Sequence, residues 1–254
     1  MSRPVRRAVV SRCLLALSAL SALSALSARA DEATPPADAP TATRAPFTIT
    51  AGERGTTALV VPPSKAPAGK APMVLMLHGM CDVPENECPA FGGSATAGRF
   101  VVCPRADLAC AGGGAIWNGK PEVRSRIVDE VLAKTGESLA VDPARRTMIG
   151  FSLGAFVALD VVQRQKGEFK NLVLIGARVQ PDAKKLKESG VERVLLASGR
   201  HDMTRDHMTQ LAKRLEAEGI KATYRSLGPV GHQFAPDMNA WLKDAFGWLE
   251  PGDA

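Results

Sequence analysis

The sequence predicts an α/β domain, a central and mostly parallel sheet flanked by helices, on three observations. Apolar runs of strand length recur along the chain, amphipathic stretches of helix length separate them, and turn residues punctuate the junctions. A strand buried on both faces reads as a continuous apolar run, and parallel neighbours need a crossover between them, so the pattern belongs to a sheet covered on both sides. The 254 residues, 45% hydrophobic and 23% charged, suffice to bury one sizeable core.

Residues 1–30 read as a signal peptide. An arginine-rich start precedes an apolar run over 14–26 built on a Ser-Ala-Leu repeat, and Ala28-Arg29-Ala30 puts small residues where a signal peptidase needs them. The run falls short of the about 20 residues that span a bilayer, so cleavage rather than a stable membrane anchor is expected. Ala8-Val9-Val10 after Arg6-Arg7 is a poor match to the twin-arginine route. The formal net charge of +6 invites a nucleic-acid partner, but five of the basic groups lie in this acid-free segment. Without it, 27 basic groups face 26 acidic ones, which removes the case for nucleic acid.

Residues 31–46 are rich in proline, alanine and threonine and lack apolar periodicity, so they are expected to be a disordered linker. The domain is expected over 47–254. Segments 47–50 and 57–61 read as an antiparallel edge around a Glu53-Arg54-Gly55 turn. The remaining strands are expected at 73–77, 100–103, 147–150, 171–175, 193–197 and 222–226. Helices are expected at 122–134, 153–165, 183–188, 205–218 and 236–249.

Beyond the signal segment the cysteines form an even set, Cys81, Cys88, Cys103 and Cys110, as an oxidising compartment allows. Three pairings are open. Joining neighbours, Cys81 with Cys88 and Cys103 with Cys110, would close short loops worth about 2–3 kcal/mol each. A Cys81 to Cys103 bridge is the rival, since both would follow adjacent strands. The wide spacing lacks the close pairs of structural zinc sites, so no metal is expected.

Gly150-Phe151-Ser152-Leu153-Gly154 is a G-x-S-x-G between an expected strand and an expected helix. By itself the pattern is weak; its context gives it force. A nucleophilic serine needs a sharp strand-to-helix turn at the carboxyl end of a sheet, with glycines where side chains would collide with nearby backbone. Leu153 at the helix start aims its N–H at a developing oxyanion. Upstream, the strand ending at Leu77 runs into His78-Gly79-Met80, where the Met80 N–H is the candidate second donor and His78 and Gly79 are expected to border the substrate. Among the four histidines, chain order after an acid leaves His207 and His232; His207 falls inside a helical pattern, so His232 is the expected base. The acid is placed at Asp202, on the loop after the 193–197 strand, with Asp182 and Asp206 as rivals. Trp117, in a glycine-rich loop, is read as lining the mouth, with a packing role as the alternative.

Taken in order, Leu75-Met76-Leu77-His78-Gly79-Met80-Cys81-Asp82, Val141-Asp142-Pro143, the Ser152 pentapeptide, Gly199 with Asp202, and Gly231-His232 resemble the α/β-hydrolase superfamily. The similarity is strongest to its phospholipase/carboxylesterase and dienelactone-hydrolase-like branch, and it covers most of residues 72–249. The resemblance implies the α/β-hydrolase fold and a Ser-His-Asp esterase mechanism without a cofactor. Two residues depart from that branch: Cys81 stands where glycine is frequent, and Ala155 follows the elbow where a further glycine is common. Both are expected to narrow the pocket. Such folds insert a cap after the strand following the elbow, but only residues 176–192 separate that strand from the next, so no cap domain is expected. The expectation is an exported, periplasmic or secreted enzyme acting on small or surface-presented esters. A peptidase or thioesterase with the same triad, or an idle binding protein on the same fold, are the alternatives.

Overall fold

A computed structural model describes residues 45–64, 67–93, 96 and 98–251. The expected signal peptide and nearly all of the linker lie outside the described residues. Ten strands and six helices follow one another as β1 Phe47–Ala51, β2 Thr56–Val61, β3 Ala71–Leu77, α1 Pro84–Glu87, β4 Phe100–Pro104, β5 Leu108–Ala109, β6 Ala115–Ile116, α2 Pro121–Ser138, β7 Val141–Phe151, α3 Leu153–Arg164, β8 Asn171–Ile175, α4 Ala183–Ser189, β9 Arg193–Ser198, α5 Arg205–Ala217, β10 Lys221–Ser226 and α6 Met238–Leu249.

Eight strands form one sheet in the order β1-β2-β4-β3-β7-β8-β9-β10. The first three are joined antiparallel, and from β4 across to β10 every pairing is parallel. The apolar runs are continuous because both faces are covered. In β3, Met73, Leu75 and Leu77 face one core while Val74 and Met76 face the other. Helices α2, α3 and α5 cover the first face; α6 and the 3-10 turn Cys88–Phe91 cover the second. Burying each such side chain stabilises by about 1.5–3 kcal/mol. Of the 176–192 connection only α4 is helical, so no cap interrupts the sheet there.

Three features differ from the sequence expectation. Strand β7 starts at Val141 rather than 147, because its first residues extend alongside β3 through a register shift. The 84–91 segment forms α1 and the 3-10 turn, and β5 pairs with β6 as a small hairpin. The disulfides join Cys81 to Cys110 and Cys88 to Cys103, the third of the three pairings that the sequence leaves open, rather than the neighbour pairing or its Cys81–Cys103 rival. Strand alternation explains the choice. Cys103 lies inside β4 on the same face as Val101, in the core that also holds Cys88 and Phe91, whereas Cys81 lies beyond the end of β3. Cys110 reaches Cys81 because the β5–β6 hairpin docks on the loop after β3, the Ala115 amide donating to Asp82 O at 3.0 Å.

Candidate active site

Parallel strands end on one edge, and the loops leaving it converge on a crevice. Strand β7 delivers Ser152, β9 delivers Asp202, β10 leads to His232, and β3 runs into His78-Gly79-Met80. Ser152 sits at φ 53°, ψ −118°, an uncommon conformation for a residue with a side chain, and its amide donates to Ile175 O at 2.8 Å. Helix α3 starts at the next residue, so the Leu153 amide is one of the helix-opening donors without an intrahelical acceptor. The turn is possible because position 154 is glycine: a Cβ there would lie 2.0 Å from Leu77 O.

His232 Nε2 lies 2.9 Å from Ser152 Oγ, and its Nδ1 lies 2.8 Å from Asp202 Oδ2. The Asp202 side chain is 4% exposed and that of His232 46% exposed. Burial pushes the Asp202 carboxyl up, but the Thr204 amide, donating to Oδ1 at 2.8 Å, and His232 outweigh it and hold the group below the usual carboxylate range. An ionised carboxylate there fixes the Nδ1–H tautomer and leaves Nε2 free to accept the serine proton. Phe151 stacks on the His232 ring with centroids 5.1 Å apart, and Phe234 buttresses Phe151 at 4.6 Å.

The rival residues are occupied elsewhere. Asp182 caps α4 by accepting the Lys184 and Lys185 amides. Asp206 pairs with Arg205, and His207 Nε2 contacts Val179 O at 2.8 Å. Met80 is exposed at the rim. His78 is wholly buried, which corrects its reading as a residue bordering the substrate, and Trp117 is nearly so, in the packing role that the sequence offered as the alternative. The Trp117 indole donates to His78 O at 2.9 Å, so both rings support the loop from within. Burial lowers the His78 pKa, favouring the neutral ring. Ala155 is buried in the first core and lines nothing. Cys81 adopts φ 56°, the left-handed region that favours glycine, and holds it within a disulfide bond.

Sequence reasoning missed three contributors. Glu87 is buried, with its carboxyl against the Gly79 amide. In a Pro-Glu-Asn-Glu-Cys-Pro run it reads as a surface residue. Gly176 and Phe234 carry no local motif, and Phe151 fills an unspecified position of the Ser152 pentapeptide; only the fold gathers them around His232. Among the described residues no cluster of potential metal ligands occurs.

The sequence matches no protein-family model and no curated protein. Solved structures match in shape. Esterase PE8 is 20% identical with a TM-score of 0.59, covering 75% of this chain and 97% of its own. An S-formylglutathione hydrolase from Agrobacterium tumefaciens is 18% identical at TM-score 0.60, covering 80% and 93%. A hyperthermophilic esterase from Pyrobaculum calidifontis is 18% identical at TM-score 0.62, covering 81% and 83%. At these identities the likeness is one of fold: the chain has the α/β-hydrolase fold.

Proposed function

We propose that this chain is an exported serine hydrolase that cleaves carboxylic esters through an acyl-enzyme. The observation that carries the reading is the hydrogen-bonded line Ser152–His232–Asp202 at the carboxyl edge of the sheet. Ser152 Oγ attacks the ester carbonyl carbon while His232 Nε2 takes its proton. The amides of Leu153 and Met80 receive the negative charge that forms on the carbonyl oxygen. The intermediate collapses, His232 protonates the departing alcohol, and a water activated by the same ring releases the acid. The neighbours named as esterases support this chemistry. A thioester is the second reading, favoured by the neighbour named as an S-formylglutathione hydrolase.

The exposed His232 and Met80 and the absence of an insertion between β8 and β9 favour short or surface-presented esters. Two disulfides support an oxidising compartment, periplasmic or secreted, reached by removal of residues 1–30. The test is direct. Purified protein is expected to react with a fluorophosphonate probe and to cleave a short nitrophenyl ester, with both lost in Ser152→Ala; cleavage unchanged in that variant overturns the assignment. A strong preference for long-chain over acetyl and butyryl esters overturns the open-site reading, and N-terminal sequencing of the protein recovered outside the cytoplasm tests the cleavage point.

A further inference from the structure

The loop after β3 is held by a set of bonds that fixes the peptides on either side of Gly79. Ala106 N donates to His78 Nε2 at 3.1 Å, so the ring proton is on Nδ1, which donates to Gly79 O at 2.9 Å. In a trans peptide the carbonyl and amide point in opposite directions, so pinning Gly79 O sets the direction of the Met80 N–H. The preceding peptide is pinned at both ends: its carbonyl, His78 O, accepts from Trp117, and its amide, Gly79 N, donates to Glu87 Oε1 and Oε2 at 3.1 and 3.3 Å.

Glu87 is 4% exposed, and among the described residues no lysine or arginine pairs with it. Its carboxyl lies close enough to the Asp82 side chain for each to influence the ionisation of the other. Asp82 Oδ1 already accepts from the Val83 amide at 2.8 Å and Asn86 Nδ2 at 2.7 Å, which keeps Asp82 the ionised member of the pair. Burial, with Asp82 adding to it, raises the Glu87 carboxyl to about 8. A neutral Glu87 therefore accepts from Gly79 and donates to Asp82. A Cβ on Gly79 would lie 3.2 Å from Glu87 Oε1, 3.4 Å from Phe151 Cδ1 and 3.6 Å from Ser152 Cβ, so Glu87 and Ser152 both pack close to this glycine.

We propose that Glu87 is a positioning residue for oxyanion binding: its carboxyl bridges the Gly79 amide and the Asp82 carboxylate and so fixes the backbone that presents the Met80 N–H to the substrate. The proposal rests on the hydrolase reading above. Deprotonation of Glu87 sets two carboxylates against each other and removes the bridging proton, loosening the loop. Asp82 is the charged group that meets the carboxyl directly. Glu85, on the same helix, is met by Arg105 at 3.8 Å, and neither β2 nor the 3-10 turn that pack on α1 carries a titrating side chain.

The experiment compares wild type, Glu87→Gln and Glu87→Ala by two readouts. In the first, the Gly79 amide resonance is followed by NMR across pH 5–10. It is expected to move with a midpoint near the carboxyl's value of about 8 in wild type and to stay fixed in Glu87→Gln, whose amide keeps both bonds and cannot ionise. In the second, kcat for a short nitrophenyl ester is expected to fall through the same midpoint in wild type and to hold in Glu87→Gln. Glu87→Ala, checked for folding by circular dichroism, is expected to lose about tenfold in kcat with KM within about twofold. A Gly79 resonance that does not titrate, or an alkaline fall that persists in Glu87→Gln, overturns the proposal. A wild type inactive at every pH fails the hydrolase reading instead, whereas an active wild type indifferent to both substitutions fails this one.

Discussion

A Cβ on Gly176 would stand 3.0 Å from Cε1 and 3.2 Å from Nδ1 of His232, so the glycine that follows β8 is the floor on which the imidazole lies. Its φ of 64° is a second reason for glycine. Gly176→Ala is expected to push the ring off the line between Asp202 and Ser152. A displacement on that scale costs about 10²-fold in kcat, with KM little changed. Steady-state kinetics and the rate of fluorophosphonate labelling read it; a kcat within about twofold of wild type means that the ring has room to spare.

Asp202→Asn is expected to preserve the fold and remove most of the turnover. An amide in place of the carboxylate stabilises the wrong histidine tautomer and no longer supports an imidazolium, a loss of about 10⁴-fold in kcat. Asp182→Ala is the matched control. Asp182 caps α4 through two backbone amides, so its loss is expected to cost about 1 kcal/mol of stability and leave turnover intact. Reversal of the two phenotypes would move the acid to Asp182.

The sheet was legible because its strands are buried on both faces: residues 172–175 and 194–197 are apolar throughout and alternate between the two cores. Ser152 and His232 were legible because backbone geometry and chain order constrain them to few positions. The disulfide pairing was not, because it depends on which face of β4 Cys103 occupies and on the docking of a hairpin whose strands are two residues long. Whether Trp117 and His78 line the rim or support it was not legible, because aromatic and imidazole groups next to a site suit both; only burial separates the two. Glu87 was invisible for a related reason, since nothing in a run of polar residues marks the one whose carboxyl turns inward.

The two disulfides are expected to act on different properties. Cys81 is exposed and adjoins Met80, whereas Cys88 and Cys103 are wholly buried in the second core. Replacing Cys81 and Cys110 by serine frees the left-handed residue next to the Met80 amide. This double variant is expected to lose turnover beyond what its loss of stability, about 3–4 kcal/mol in the chain-entropy account, explains. The Cys88→Ser/Cys103→Ser variant puts two hydroxyls into an apolar core and is expected to lose at least as much stability, with kcat retained in the fraction that stays folded. Urea unfolding paired with kcat per labelled Ser152 separates the effects. Equal kcat in both variants would show that the exposed bridge does not hold the loop.

Glu87 and Asp202 give the stability of the fold opposite dependences on pH. The Glu87 carboxyl ionises at about 8 in the folded protein, against about 4.3 in an unfolded chain. Between those values the native state binds more protons than the unfolded state, so stability falls as pH rises through the window and levels above it. For Asp202 the folded value is depressed; its contribution is complete above about 3.9 and is lost as pH falls through the folded value. The pH dependence between 5 and 8 should therefore carry the mark of Glu87. Thermal melts of Glu87→Gln against wild type are expected to show a Tm difference that grows in favour of the variant from pH 5 to pH 8 and is constant above. Parallel Tm curves through that range would mean that Glu87 ionises in the folded protein as it does in the unfolded chain, and that the Gly79 amide alone accounts for its burial.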